Sequence, residues 1–219
     1  MKNLSIKKWL KYLILLSVVI FAVYLNYFNS IVKDEFSKPA EFVNSNLQFD
    51  QHPKSLINML LLIEDQSFFE HSGVDFKEIA RVLRDYFFYD KPIRGASTLT
   101  QQLIKNSLLT REQTISRKLN EALMALLLEA SFGKEFILSR YMNSVYLGQK
   151  GKKAIYGFDN AARFYFKKNL NLLSLEEMAT LVALVKGPSY YHPIRYPQRL
   201  AKRAQLVLSI YHKFEKIVK

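Results

Sequence analysis

No cysteine occurs among the 219 residues, which excludes a disulfide framework and any metal site built on thiolates. Glycine and proline are scarce, at 7 and 6, so collagen-like and low-complexity chains are excluded as well. No segment alternates apolar and polar residues for long, which leaves a mainly α reading. Acidic side chains are also few: 19 Asp and Glu face 32 Lys and Arg, a formal net charge of +13. Such an excess favours an anionic partner, whether nucleic acid, an anionic membrane surface or a phosphorylated substrate. Apolar residues make up 49%, enough for one well-buried domain, or for one domain and an anchor.

The first residues narrow that choice. Lys2, Lys7, Lys8 and Lys11 precede Tyr12–Phe28, which carries no charge. At ~1.5 Å per residue those positions span ~26 Å, at the short end for a hydrocarbon core of ~30 Å. Trp9 and Tyr12 at one end, and Tyr24, Tyr27 and Phe28 at the other, suit two interfaces. The segment is read as a transmembrane signal-anchor covering 1–29, because no small-residue cleavage site follows the apolar run. Lysines ahead of the run place the N-terminus in the cytoplasm and the remainder outside. Four of the thirteen net charges belong to that flank, leaving nine for a domain beside a membrane. Nucleic acid thereby loses ground to a lipid headgroup or lipid-linked phosphate.

Residues 30–52 mix charges with Pro39 and read as a juxtamembrane connector to a domain over 53–219. Helices are expected at Pro53–Ile63, Phe76–Tyr89 and Thr98–Asn106. The next is expected from a capping box of Thr110 and Gln113 to about Ala130, burying Leu119, Leu123, Leu126 and Leu127. Further helices are expected at Lys134–Tyr146, Gly157–Phe166, Leu175–Val185 and about Pro197–Lys219. The aromatic run Tyr86–Tyr89 suits either a core or a headgroup layer.

Three places concentrate chemistry. Glu64 closes the apolar run Met59–Ile63, where a carboxyl is partly withdrawn from water and suited to proton transfer; Asp65 adjoins it. Gly95–Gln102 packs Ser97, Thr98, Gln101 and Gln102 into a run dense in donors and acceptors for sugar hydroxyls and phosphate oxygens, with Lys105 one turn beyond Gln101. Glu121 shares a helix face with Arg117 and Lys118, and Met124 and Leu128 continue that face, so the carboxylate sits at a core edge among cations. His71 and Asp75 are four apart, but Gly73 between them favours a turn over a metal site.

These blocks, in this order, closely resemble the peptidoglycan glycosyltransferase family (glycosyltransferase family 51), found in class A penicillin-binding proteins and as stand-alone enzymes. E-D-x-x-F-x-x-H-x-G-x-D falls on Glu64, Asp65, Phe68, His71, Gly73 and Asp75. G-x-S-T-[IL]-T-Q-Q-L-x-K-N runs from Gly95 through Asn106, and R-K-x-x-E is Arg117, Lys118 and Glu121. A fourth block spans Ile137–Gly148, and Gly157, Ala161, Ala162, Tyr165, Phe166 and Leu175–Pro188 follow the family pattern. The resemblance covers roughly Pro53 to Leu208. Two positions depart from it. Gln113 stands where many members carry an arginine, with Arg111 two residues earlier, and Ala204 replaces the second arginine of a late R-R-x-x-V-L.

The resemblance implies a lysozyme-like, two-lobed helical domain after one N-terminal transmembrane helix, in the bacterial cytoplasmic (inner) membrane. It implies polymerisation of lipid II into glycan strands by inverting transfer, with release of undecaprenyl diphosphate. By position Glu64 is the general base for the acceptor 4-hydroxyl. Glu121 positions the donor, directly or through a divalent cation (Mg2+ or Mn2+); no other cofactor is required. Lys105, Arg117 and Lys118 neutralise the diphosphate. Asp65, Ser97, Thr98, Gln101, Gln102, Asn106 and Asn143 complete the binding surface. Partners are lipid II, the growing strand, the bilayer and cell-wall synthesis or division proteins. No S-x-x-K or K-T-G motif follows, so a monofunctional enzyme is expected. The alternatives are a lysozyme-like glycan-cleaving enzyme and a non-catalytic lipid II-binding partner of a synthesis complex.

Overall fold

A computed structural model describes residues 6–39, 46–92, 95–110 and 112–218. The fold is mainly α: a lysozyme-like helical domain preceded by one long apolar helix. That helix, α1 (Ile6–Ser37), does not stop at Asn29. Its first turns are exposed all round, whereas Phe28, Val32 and Phe36, spaced one turn apart, are buried in the domain. Burying each contributes about 1.5–3 kcal/mol, enough to fix the end of α1 into the core. Arg140 holds its C-terminus, donating to the Lys38 carbonyl at 2.9 Å and to that of Glu35 at 3.4 Å. A guanidinium there satisfies orphan carbonyls and complements the helix dipole. The expected connector is therefore helical in its first part.

Next come α2 (Lys54–Glu64), α3 (Phe76–Tyr89), α4 (Leu99–Leu108) and α5 (Ile115–Ser131). Asp75 caps α3 by accepting from the Glu78 N–H at 2.8 Å. All four aromatics of Tyr86–Tyr89 are exposed. The Thr110–Gln113 capping box does not form: Leu109 is extended, and Thr114 caps α5 by accepting from the Arg117 N–H at 3.1 Å. The buried stripe of α5 is also rotated from the expected one. Met124, Ala125 and Leu128 are buried beside Glu121, while Leu119 is exposed. A helix apolar on nearly every side has no unique stripe, and α1 and α4, which flank it, choose the orientation.

The last part comprises α6 (Lys134–Ser144), β1 (Tyr146–Lys150), β2 (Lys153–Tyr156), α7 (Phe158–Phe166), α8 (Leu175–Val185) and α9 (Pro197–Val218). The antiparallel β1–β2 hairpin was not expected; α6 ends at Ser144 because Val145 is extended and the chain turns into β1. Strands this short carry too few residues for a period-two signal. Gly157 follows with φ +79°, where a Cβ would lie 2.3 Å from the Asn143 carbonyl oxygen, so α7 can start there only on glycine. α8 is the hub of one lobe, packed on α2, α7 and α9; α4 and α5 with the end of α1 make the other.

Candidate active site

The cleft forms where α2 ends. Glu64, in its last turn, points a half-buried carboxylate across the gap; Oε2 accepts from Gln102 Nε2 at 3.2 Å, and Oε1 lies 3.8 Å from the Arg203 guanidinium of α9. Gln102 Oε1 in turn accepts from the Tyr141 hydroxyl at 2.9 Å. Burial, reinforced by the Glu64 and Asp65 charges, pushes the Tyr141 hydroxyl well above its usual range, so it serves as a fixed proton donor to the amide. Amide orientation is thereby settled, and its N–H can only face Glu64. Arg203 was not among the expected site residues. Its signal lay in the late arginine block, whose second position, Ala204, is buried.

Asp65 has a different place from its neighbour. It is buried, accepts from the Leu99 N–H at 2.8 Å and binds His71 Nε2 at 3.1 Å through both oxygens. His71 Nδ1 accepts from the Gly73 N–H at 3.1 Å, which leaves the ring proton on Nε2 for Asp65. Gly73 adopts φ +98°, and a Cβ there would stand 2.5 Å from the Ala125 carbonyl oxygen, so the loop lies flat on α5. Its carbonyl accepts from the Thr98 hydroxyl at 2.6 Å. The first motif thus fastens the second: Asp65 and Gly73 hold the start of α4.

The Ser/Thr/Gln run divides by burial. Thr98 and Gln101 form a buried capping box for α4, and the Thr100 hydroxyl donates to Glu129 at 2.6 Å. Thr98 borders the cleft but spends its hydroxyl within the fold, and Gln101 shapes the helix rather than offering groups to a ligand. Ser97 and Gln102 are the two whose polar groups face the cleft. Lys105 lies three residues beyond Gln102 on the same face of α4, exposed, with Asn106 beside it. Asn143 is not in the cleft. Its amide clamps Leu47, accepting from the N–H at 3.3 Å and donating to the carbonyl at 2.8 Å, and reaches Asn46 at 3.2 Å.

Opposite Glu64 stand the cations of α5. Arg117 Nη1 donates to Glu121 Oε2 at 2.8 Å, and Lys118 Nζ bonds both Glu121 Oε1 and Ser97 Oγ, the latter at 2.7 Å. Glu121 is only 2% exposed. Both of its oxygens are bonded to these cations. Among the described residues no group of three His, Cys, Asp or Glu forms a metal cluster. Glu121 fixes the two cations. Both occupy the first turns of α5, where positive side chains oppose the helix dipole. The arrangement costs stability and concentrates positive potential, the helix end included, on the cleft. Gln113 is exposed just before α5, and Arg111 lies outside the described residues.

The cavity beneath Glu64 measures about 260 Å³ and is bordered by Glu64, Gln66, Arg81, Gly95 and Ser97. It continues past Gln66, Ser67 and Arg81 into a larger cavity of about 840 Å³ between α2, α3 and α9, which Tyr211 and Phe214 close. Glu64 and Ser97 both border the smaller cavity, and Lys118 reaches it through Ser97. One carboxylate and two paired cations thus belong to a helical domain that carries a long apolar N-terminal helix. The matching family model, transglycosylase, covers residues 33–212, and the chain belongs to that family. It is 44% identical over 164 residues to penicillin-binding protein 1B of Haemophilus influenzae, covering 75% of this chain and 21% of that protein. Against penicillin-binding protein 1B of Escherichia coli it is 44% identical over 158 residues, 72% of this chain and 19% of that one. Against penicillin-binding protein 1A of Aquifex aeolicus it is 41% identical over 162 residues, 74% and 22%. The chain spans about a fifth of the length of these relatives.

Proposed function

We propose that this chain polymerises lipid II into peptidoglycan glycan strands by inverting transfer, releasing undecaprenyl diphosphate. The carrying observation is Glu64 held by Gln102 and Arg203 across the cleft from Arg117 and Lys118, in a chain of the transglycosylase family. Glu64 takes the proton of the acceptor sugar 4-hydroxyl. That oxygen forms a bond to the donor anomeric carbon as the bond from carbon to diphosphate oxygen breaks on the opposite face. The electron pair leaves with the diphosphate, which Lys105, Arg117 and Lys118 stabilise as its charge develops. Glu121 acts as a positioning residue for the last two. The two joined cavities hold successive sugar units.

The reaction runs at the outer face of the inner membrane, with α1 crossing once and its N-terminus in the cytoplasm. The polymerising activity works alongside other cell-wall synthesis or division proteins. Purified protein given labelled lipid II, and separately finished peptidoglycan, tests the reading. Strand growth that is lost in Glu64→Gln, with lipid II binding retained, is expected. Muropeptide release from the finished wall would instead make this a cleaving enzyme, and binding without either product a non-catalytic partner.

A further inference from the structure

Glu129, on α5, is a carboxylate that takes no part in the transfer, yet its side chain is only 5% exposed. Its Oε2 pairs with Lys134 Nζ at the start of α6, 2.5 Å away, and its Oε1 accepts from the Thr100 hydroxyl at 2.6 Å. The same ammonium lies over the Phe68 ring, 4.4 Å from its centroid. A carboxylate so far withdrawn from water is retained only where it is paired and bonded. Lys134 supplies the counter-charge, and the other oxygen is committed to a neutral hydroxyl on α4.

Thr100 follows Leu99, whose N–H donates to Asp65 at 2.8 Å. Two consecutive residues in the first turn of α4 are therefore tied to two carboxylates. One directly follows Glu64 at the end of α2, and the other stands on the helix that carries Arg117 and Lys118. His71 fills the space between them, bonded to Asp65 and 3.8 Å from Glu129. Successive residues lie roughly 100° apart around a helix, so these two ties fix its roll as well as its place. Gln102 comes two residues after Thr100, and its 3.2 Å reach to Glu64 is already at the long end for a hydrogen bond. A roll of ~20° would carry a side-chain end at a radius of ~5–6 Å by ~2 Å, out of bonding range.

We infer that Glu129 is a positioning residue for the transfer: by holding the Thr100 hydroxyl it sets the roll of α4 and keeps the Gln102 amide on Glu64. Tyr141 decides which end of that amide faces the base, and Glu129 decides where the amide stands. The consequence for turnover rests on Glu64 being the base of the polymerising reaction. The consequence for the Gln102 amide does not.

Thr100→Val removes the hydroxyl and keeps the shape, Thr100→Ser restores the hydroxyl, and Thr100→Ala carries the same expectation as valine if valine is not accommodated. In the full chain with isotope-labelled glutamine amides, the Gln102 side-chain resonances are those missing from Gln102→Ala. They are expected to move toward the values of a free glutamine in Thr100→Val and to return in Thr100→Ser. On lipid II, Thr100→Val is expected to lower kcat severalfold with KM little changed, and Thr100→Ser to recover the parent rate. A loss acting through Gln102 disappears when Thr100→Val is placed in a Gln102→Ala background. Unmoved Gln102 resonances, or a kcat loss that persists in full in that background, would overturn the inference and leave Glu129 a residue of the fold alone. A parent that binds lipid II without forming strands would instead overturn the polymerisation, with the Gln102 resonances still deciding the positioning.

Discussion

The Gln102 amide donates to Glu64 at 3.2 Å, and its oxygen is held by a buried Tyr141 hydroxyl at 2.9 Å. Tyr141 thus acts on the base from behind, without reaching the cleft. Tyr141→Phe should leave the amide oxygen unsatisfied and free the amide to turn, at a cost of about 1–3 kcal/mol for a buried polar group. Turnover is expected to fall about tenfold with KM for lipid II little changed. Steady-state kinetics beside a thermal melt separate this from general destabilisation; an unchanged kcat would remove Tyr141 from the relay.

Glu121→Gln keeps the shape but halves the hold on Arg117 and Lys118. Because Glu121 is buried between two cations, the variant leaves positive charge uncompensated, and kcat/KM should drop by about 10- to 100-fold. Titration with Mg2+ or Mn2+ checks the assignment. Parent activity that rises with divalent ion, and a variant that does not respond to it, would give Glu121 a metal-bridging role.

Gly73→Ala forces a side chain into the left-handed region and onto the Ala125 carbonyl. The loop carrying His71, the capped start of α4 and α5 meet there, so nothing can yield cheaply. A loss of about 3 kcal/mol is expected, read as a lower denaturation midpoint at unchanged slope. A stability within error of the parent would mean that the loop relaxes away from α5.

His52 is buried, and burial, partly offset by the Leu47 backbone and the Asp159 charge, holds its pKa below the ordinary 6.5. The folded state therefore binds fewer protons than the unfolded one as pH falls below about 6.5. Stability drops on acidification until the lowered value is passed and is fully present above 6.5. His52→Gln should flatten this part of the profile, measured by denaturation between pH 5 and 8. A parallel profile in the variant would assign the dependence to another group.

Much of the site was legible in the sequence because chemistry needs particular residues at fixed spacing. Gln102 reaches Glu64, Lys118 reaches Ser97, and Arg117 and Lys118 pair with Glu121 as their spacing implies. Burial was harder to read. Thr98 and Asp65 look like ligand groups in one dimension, yet they join Gly73, Leu99 and His71 across up to 34 residues of chain, which no local pattern encodes, while Gln101 closes a capping box with Thr98. Asn143 misleads for the same reason, since its partners lie near Leu47. Helix boundaries were missed where α1 runs on to Ser37, where Thr110 and Thr114 offered competing caps and where α6 gives way to β1, and the stripe of α5 depended on what flanked it.

α9 packs on α2 and α8, so the last helix of the domain closes a core begun by the first ones. Leu200, Val207 and Tyr211 are buried in the same cluster as Leu56, Leu60 and Val32. A chain emerging N-terminus first has no complete hydrophobic interior until its final helix has followed. The surroundings of Glu64 are therefore complete only once Arg203 has arrived. A ribosome stalled before α9 would leave an anchored but unfinished protein, a ready target for proteolytic quality control.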